Sequence, residues 1–317
     1  MSATSGFLLK ALIIMMLLQL PLYASDSGHA PDTIPVPNIQ IWNIDSHIYK
    51  KLPKGAIYDR TSPQIPRDLL DLIEFIREWY PRLREQLWTD ETLKTDAKID
   101  IFLRHKDEND PEALAHTTST DSLIIYDGYL KGLKHKSGGL IIHELTHLLQ
   151  SRYRQEGFRR PIWISEALAD YQRFTSFEAF TFEMYLKRTS EAIKHKNIEK
   201  HFIDKTCVVY DEDNPCPTFW EEGYSYSYQP IHTAGMLVMI EHRFPGTVKK
   251  IHRRMHDSVK DSFDFFNKEF SDYLYSETGK GLQQNWCEYL AYVDNKTEEE
   301  VLQDCLPKVG WLWRWLQ

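Results

Sequence analysis

The sequence predicts an α+β fold: a small mixed sheet with one buried helix, followed by a mainly helical lobe. Three observations predict it. Apolar alternation marks short strands at Lys98–Leu103 (Ile99, Ile101, Leu103) and Ser122–Tyr126 (Leu123, Ile124, Ile125), the second closed by Asp127-Gly128. Apolar residues at three, four and seven spacing mark helices over Arg67–Trp88 and Leu140–Ser151. Beyond Phe174 the strand patterns give way to helical ones. Roughly 290 residues remain once an amino-terminal segment is removed, which is large for one compact core and points to one unit of two lobes with a cleft between them.

In order along the chain, Met1–Ala24 has a single lysine, Lys10, before the apolar run Ala11–Leu22 and then polar Ser25-Asp26-Ser27. This predicts a secretory signal cleaved after Ala24. A dozen apolar residues fall short of the ~20 that a bilayer crossing needs, so stable membrane insertion is not expected, and an uncleaved tether is the alternative. Residues 25–66 are proline-rich, with brief alternation at Ile39, Ile41 and Ile44, and predict extended chain with one edge strand. The main domain is expected over 67–293 and opens on the amphipathic helix Arg67–Trp88, which carries Leu69, Leu72, Ile73, Ile76, Trp79 and Tyr80 on one side and should break at Pro81.

Phe174–His201 should continue as helix into an exposed stretch where His195 and His201 are solvated. Lys205–Trp220 reads as a loop bracketed by Cys207 and Cys216. An exported chain makes that pair a disulfide candidate, with Cys287 and Cys305 as a second. Further helices are expected over Thr233–Phe244, Val248–His256, Phe263–Phe270 and Leu282–Val293, before a tail over 294–317. The basic face of Val248–His256 carries no recognition motif, and the whole chain has a net charge of -8, so nucleic acid is not an expected partner.

The chemistry-bearing stretch is His143-Glu144-Leu145-Thr146-His147 inside the helix Leu140–Ser151. One turn separates His143 from His147, so both imidazoles can reach one metal ion at about 2 Å. Glu144, one position round, suits a general base acting on a zinc-activated water without occupying the metal. Eighteen residues lie between His147 and Glu166, including Arg159, Arg160 and Pro161, which end the first helix before a second begins near Trp163. Glu166 then completes a set of two neutral imidazoles and one anion with a fourth position open, the coordination of catalytic zinc. Asp170, one turn beyond Glu166, is placed to accept a hydrogen bond from the far ring nitrogen of a liganding histidine.

Two histidines on one helix and a glutamate eighteen residues on resemble the gluzincin class of metallopeptidases. Within it, the chain is similar to the basic secretory protein family of peptidases in His143-Glu144-Leu145-Thr146-His147, Glu166-Ala167-Leu168-Ala169-Asp170-Tyr171, Trp220-Glu221-Glu222-Gly223-Tyr224 and Thr233-Ala234. The resemblance implies a zincin-like two-lobed catalytic domain, Zn2+ as cofactor, and a peptide or protein substrate. It also implies that an edge strand before the metal helix pairs with extended substrate. Residues 115–126 are the candidate for that strand, against the reading of an ordinary interior strand.

An oxyanion donor beside the metal is expected among Tyr224, Tyr228 and His232. The resemblance carries Tyr224 over by its place in Gly223-Tyr224, while nearness to the next helix favours Tyr228 and His232. Hydrolysis of another amide or of a cell-wall linkage, and a secreted zinc-fold binding protein without chemistry, are the competing expectations.

Overall fold

Strands β1 (Asn38–Asn43), β3 (Lys98–Arg104) and β5 (Ser122–Tyr126) run parallel, while β2 (Ile57–Tyr58) and β4 (Ala115–Thr117) pair antiparallel to β1 and β5. The computed structural model describes residues 37–44, 55, 57–63, 65–66, 67–87, 98–105, 115–118, 121–126, 138–151, 162–187, 229–261 and 268–294. All of these belong to one compact unit, Pro35–Gln317. Met1–Ala24, where an export signal is expected, Cys207 and Cys216, and Cys305 with the other residues beyond Asp294 lie outside the described residues, as does the side chain of Cys287.

The sheet order is β2-β1-β3-β5-β4. Cross-strand partners share a face, so one row reads Tyr58, Ile41, Ile101, Leu123, Thr117 and the next Asn43, Leu103, Ile125, Ala115. Both rows lie on the packed side: Ile39, Ile41, Ile99, Ile101, Leu103, Ala115, Leu123 and Ile125 join one core with the helices. β1 is flanked on both sides and is not the edge strand its proline-rich surroundings predict. Residues 115–126 divide: Ser122–Tyr126 is interior, and Ala115–Thr117 ends the sheet among the described residues.

Helix α1 (Arg67–Leu87) buries Leu69, Leu72, Ile73, Ile76, Tyr80, Leu83 and Leu87 in that core and continues through Pro81. The expected break does not occur. Proline there removes one intrahelical hydrogen bond, whereas Leu83 and Leu87 beyond it continue the stripe that packs on the core, and tertiary burial outweighs local propensity.

Helix α2 (Gly138–Ser151) packs Ile141, Ile142, Leu145, Leu148 and Leu149 into the same core. Helix α3 (Ile162–Gln172) sends Ile164, Ala167 and Leu168 into a second one, built with Met236, Leu237, Met239 and Ile240 of α4 (Gln229–Arg243). That core extends to Val248, Ile251 and Met255 of α5 (Thr247–Asp261), Phe270 and Leu274 of α6 (Lys268–Thr278) and Tyr289 of α7 (Leu282–Asp294). The two apolar cores thus meet where α2 faces α3.

The helix expected over Phe174–His201 is not continuous. After α3 the chain makes a five-residue π-helical turn, Arg173–Phe177, and leaves the helix at Ala179, whose φ is 53°. Helix resumes only over 182–187 among the described residues. Aromatic packing accounts for the interruption. Phe174 stacks on Phe180 and meets Tyr185 edge-on, which requires the chain to double back, and Phe177 meets Phe75 and Trp79 of α1 edge-on.

Candidate metal centre

Residues four apart on a helix stack on one face, so α2 sets the rings of His143 and His147 side by side, centroids 4.6 Å apart at 82°. Their Nε2 atoms are 3.0 Å apart, and each lies 3.2 Å from Oε2 of Glu166 on α3. These three side chains form a group able to hold a metal ion, and it is the one such group among the described residues. His143 and Glu166 are buried, and the His147 side chain is 12% exposed.

The far side of each ring fixes its proton. His143 Nδ1 is 2.9 Å from Oδ1 of buried Asp170. His147 Nδ1 is 2.9 Å from Oε1 of Gln150, an oxygen that also accepts from Ser165 Oγ at 2.5 Å, while Gln150 Nε2 donates to the Ser165 carbonyl at 3.1 Å. The Ser165 carbonyl can only accept, so the amide is oriented with nitrogen toward it and oxygen toward the imidazole. Both neutral imidazoles therefore carry hydrogen on Nδ1 and turn a lone pair inward.

Three acceptors within 3.0 to 3.2 Å, with no hydrogen among them, repel unless a cation or an extra proton sits between them. The protonation preferences agree. Burial alone would lower the His143 pKa, but the Asp170 and Glu166 carboxylates and the Glu144 charge overcome it and push it up to about 10. Burial would raise Glu166, yet His147 and His143 beside it hold its carboxyl far below the usual range. A proton and a metal ion thus compete for the same place.

The donor set narrows the ion. Tetrahedral bonds of about 2.0 to 2.1 Å separate ligand atoms by about 3.3 Å, and the separations here are within a few tenths of that. Calcium and magnesium prefer six or more oxygens, so two imidazoles disfavour them.

Glu144, buried between α2 and the sheet, does not join the group. Thr117 on β4 donates to it, with Oγ1 2.9 Å from the Glu144 carbonyl and 3.0 Å from Oε2. Thr117 sits at the end of the core-facing row, which is why its hydroxyl reaches the helix.

Of the residues expected at the site, His143, His147, Glu166 and Asp170 come together and Glu144 stands beside them. Tyr224 and Tyr228 lie outside the described residues. His232 lies in the first turn of α4 by its backbone, and its side chain lies outside them. Sequence reasoning missed Gln150, Ser165 and Thr117. Gln150 had a signal in its place three residues after His147 on the same helical face. Thr117 had one in alternating with Ala115. Ser165 had only its adjacency to Glu166. No protein-family model, curated protein or solved structure matches the chain.

Proposed function

We propose that this chain is an exported zinc metallopeptidase of gluzincin type, with a zincin-like two-lobed domain, acting on peptide or protein substrates. The observation that carries the reading is the inward convergence of two imidazole lone pairs and one carboxylate oxygen, each far ring nitrogen held by an acceptor, with a buried carboxylate alongside. His143, His147 and Glu166 would hold zinc, which supplies Lewis acidity toward water and a carbonyl oxygen.

The chain's own residues do the rest. Asp170 and Gln150 keep the ring protons on Nδ1 and so keep both Nε2 atoms free to bind. Glu144 takes a proton from the attacking water and returns it to the departing amine nitrogen, so one carboxylate serves as base and then as acid. The apolar cores on either side of α2 and α3 keep the ligand carboxylate and the Asp170 partner out of bulk water, which strengthens their hold on the histidines. Strand β4, last in the sheet among the described residues and tied to Glu144, supports peptide as the substrate class, because an extended chain can add to such an edge. Export rests on the Met1–Ala24 pattern, and no helix among the described residues is long and apolar enough to cross a membrane.

Glu144→Gln tests the reading. The variant should bind one zinc per chain with unchanged affinity and lose casein hydrolysis by about 100-fold or more. A Gln variant that cleaves at the wild-type rate removes Glu144 from its role. Turnover of purified peptidoglycan but not casein would move the activity to a cell-wall linkage.

A further inference from the structure

We propose that Thr117 is a positioning residue for Glu144, registering the general base to the edge strand, an inference that rests on the hydrolase reading above. The hydroxyl reaches two acceptors of one residue, the Glu144 carbonyl at 2.9 Å and Oε2 at 3.0 Å. A glutamate side chain has three rotatable bonds, and an isolated one on a helix samples several rotamers. Here one donor on a neighbouring strand holds the carboxylate near its own backbone carbonyl, on the sheet side of α2.

The strand is itself fixed, with Thr117 paired to Leu123 and Ala115 to Ile125, and both partners sit in the sheet core. Glu144 therefore takes its place from the sheet as well as from its own helix. Neither His143 nor His147 is bonded to Thr117; their far nitrogens are held by Asp170 and Gln150. Loss of the hydroxyl should thus disturb the base and spare the ligands. A misplacement of the order of 1 Å in a reacting group costs about 100-fold in rate, which sets the scale of the effect.

The test compares Thr117→Val, which keeps the shape and removes the hydroxyl, with Thr117→Ser, which keeps the hydroxyl and removes the methyl. Expected for Val is one zinc bound per chain as in wild type, kcat on a casein peptide lowered about 10- to 100-fold, and KM within about twofold; Ser should recover most of kcat. Should Val not fold, Thr117→Ala, which adds no volume, carries the same comparison. Unchanged kcat in Val, a loss confined to KM, a loss of zinc, or a Ser variant as slow as Val would each overturn the role.

A second arm does not depend on turnover. In the ion-free full-length chain, Thr117→Val and Glu144→Ala are expected to shift the melting temperature non-additively, the double variant falling by less than the sum. Additive shifts overturn the contact. A zinc-loaded wild type that cleaves nothing, with a non-additive cycle, instead overturns the peptidase reading and leaves the Thr117–Glu144 contact standing.

Discussion

Gln150 and Ser165 join α2 to α3 twice, the serine hydroxyl donating to the Gln150 amide oxygen at 2.5 Å and the Gln150 amide nitrogen donating to the Ser165 carbonyl at 3.1 Å. That clasp lies one residue before Glu166 and holds the oxygen that receives His147 Nδ1. It therefore sets both the separation of α2 and α3 and the tautomer of His147.

Breaking the clasp should weaken the metal site from the outside. Gln150→Leu removes the acceptor for His147 and both bonds to Ser165, so zinc affinity should fall by about 10- to 100-fold, measured by competition with a chromophoric chelator. Ser165→Ala, which leaves the Gln150–His147 bond in place, should lose less.

The titration of the centre gives a pH prediction with a definite sign. His143 is raised from 6.5 to about 10 in the folded chain, so its contribution to stability is complete below pH 6.5 and is lost as pH rises toward 10. Glu166 is depressed from 4.5, so its contribution is present above pH 4.5 and is lost as pH falls below it. The ion-free protein should melt highest between these limits. Zinc must displace the shared proton, so its affinity should rise with pH across the neutral range and binding should release about one proton, seen as acidification of a weakly buffered solution. In Asp170→Asn the alkaline fall in melting temperature should begin at lower pH.

Gly235 on α4 marks a close approach in the second core. A Cβ placed there would lie 2.7 Å from Tyr185 Cε1 and closer still to the Tyr289 hydroxyl. Both rings are fully buried and cannot swing into solvent. Gly235→Ala should destabilise the fold by about 1 to 3 kcal/mol in denaturant titration, and zinc stoichiometry should hold while the protein stays folded.

The part of the centre written in local periodicity was legible in the sequence. The spacing of His143 and His147 and that of Glu166 and Asp170 are each one helical turn, and a turn is a property of the chain itself. Gln150, Ser165 and Thr117 act across elements, between α2 and α3 or between β4 and α2, and such contacts are decided by how the two cores close. The same distinction explains the fold-level differences. Pro81 is a strong local breaker overruled by the burial of Leu83 and Leu87, and the helical pattern after Phe174 gives way to the packing of Phe180 and Tyr185 around that ring. The segment 115–126 could be read as edge or interior because it is both, divided between β4 and β5.

Zinc K-edge X-ray absorption on the full-length protein loaded with one equivalent tests the centre most directly, because it counts imidazoles and separates nitrogen and oxygen ligands from sulfur. Two imidazoles and further nitrogen or oxygen ligands at about 2.0 to 2.1 Å, with one imidazole lost in His147→Ala, are expected. Sulfur at about 2.3 Å, or a wild-type spectrum without imidazole scattering, would contradict an ion held by His143, His147 and Glu166.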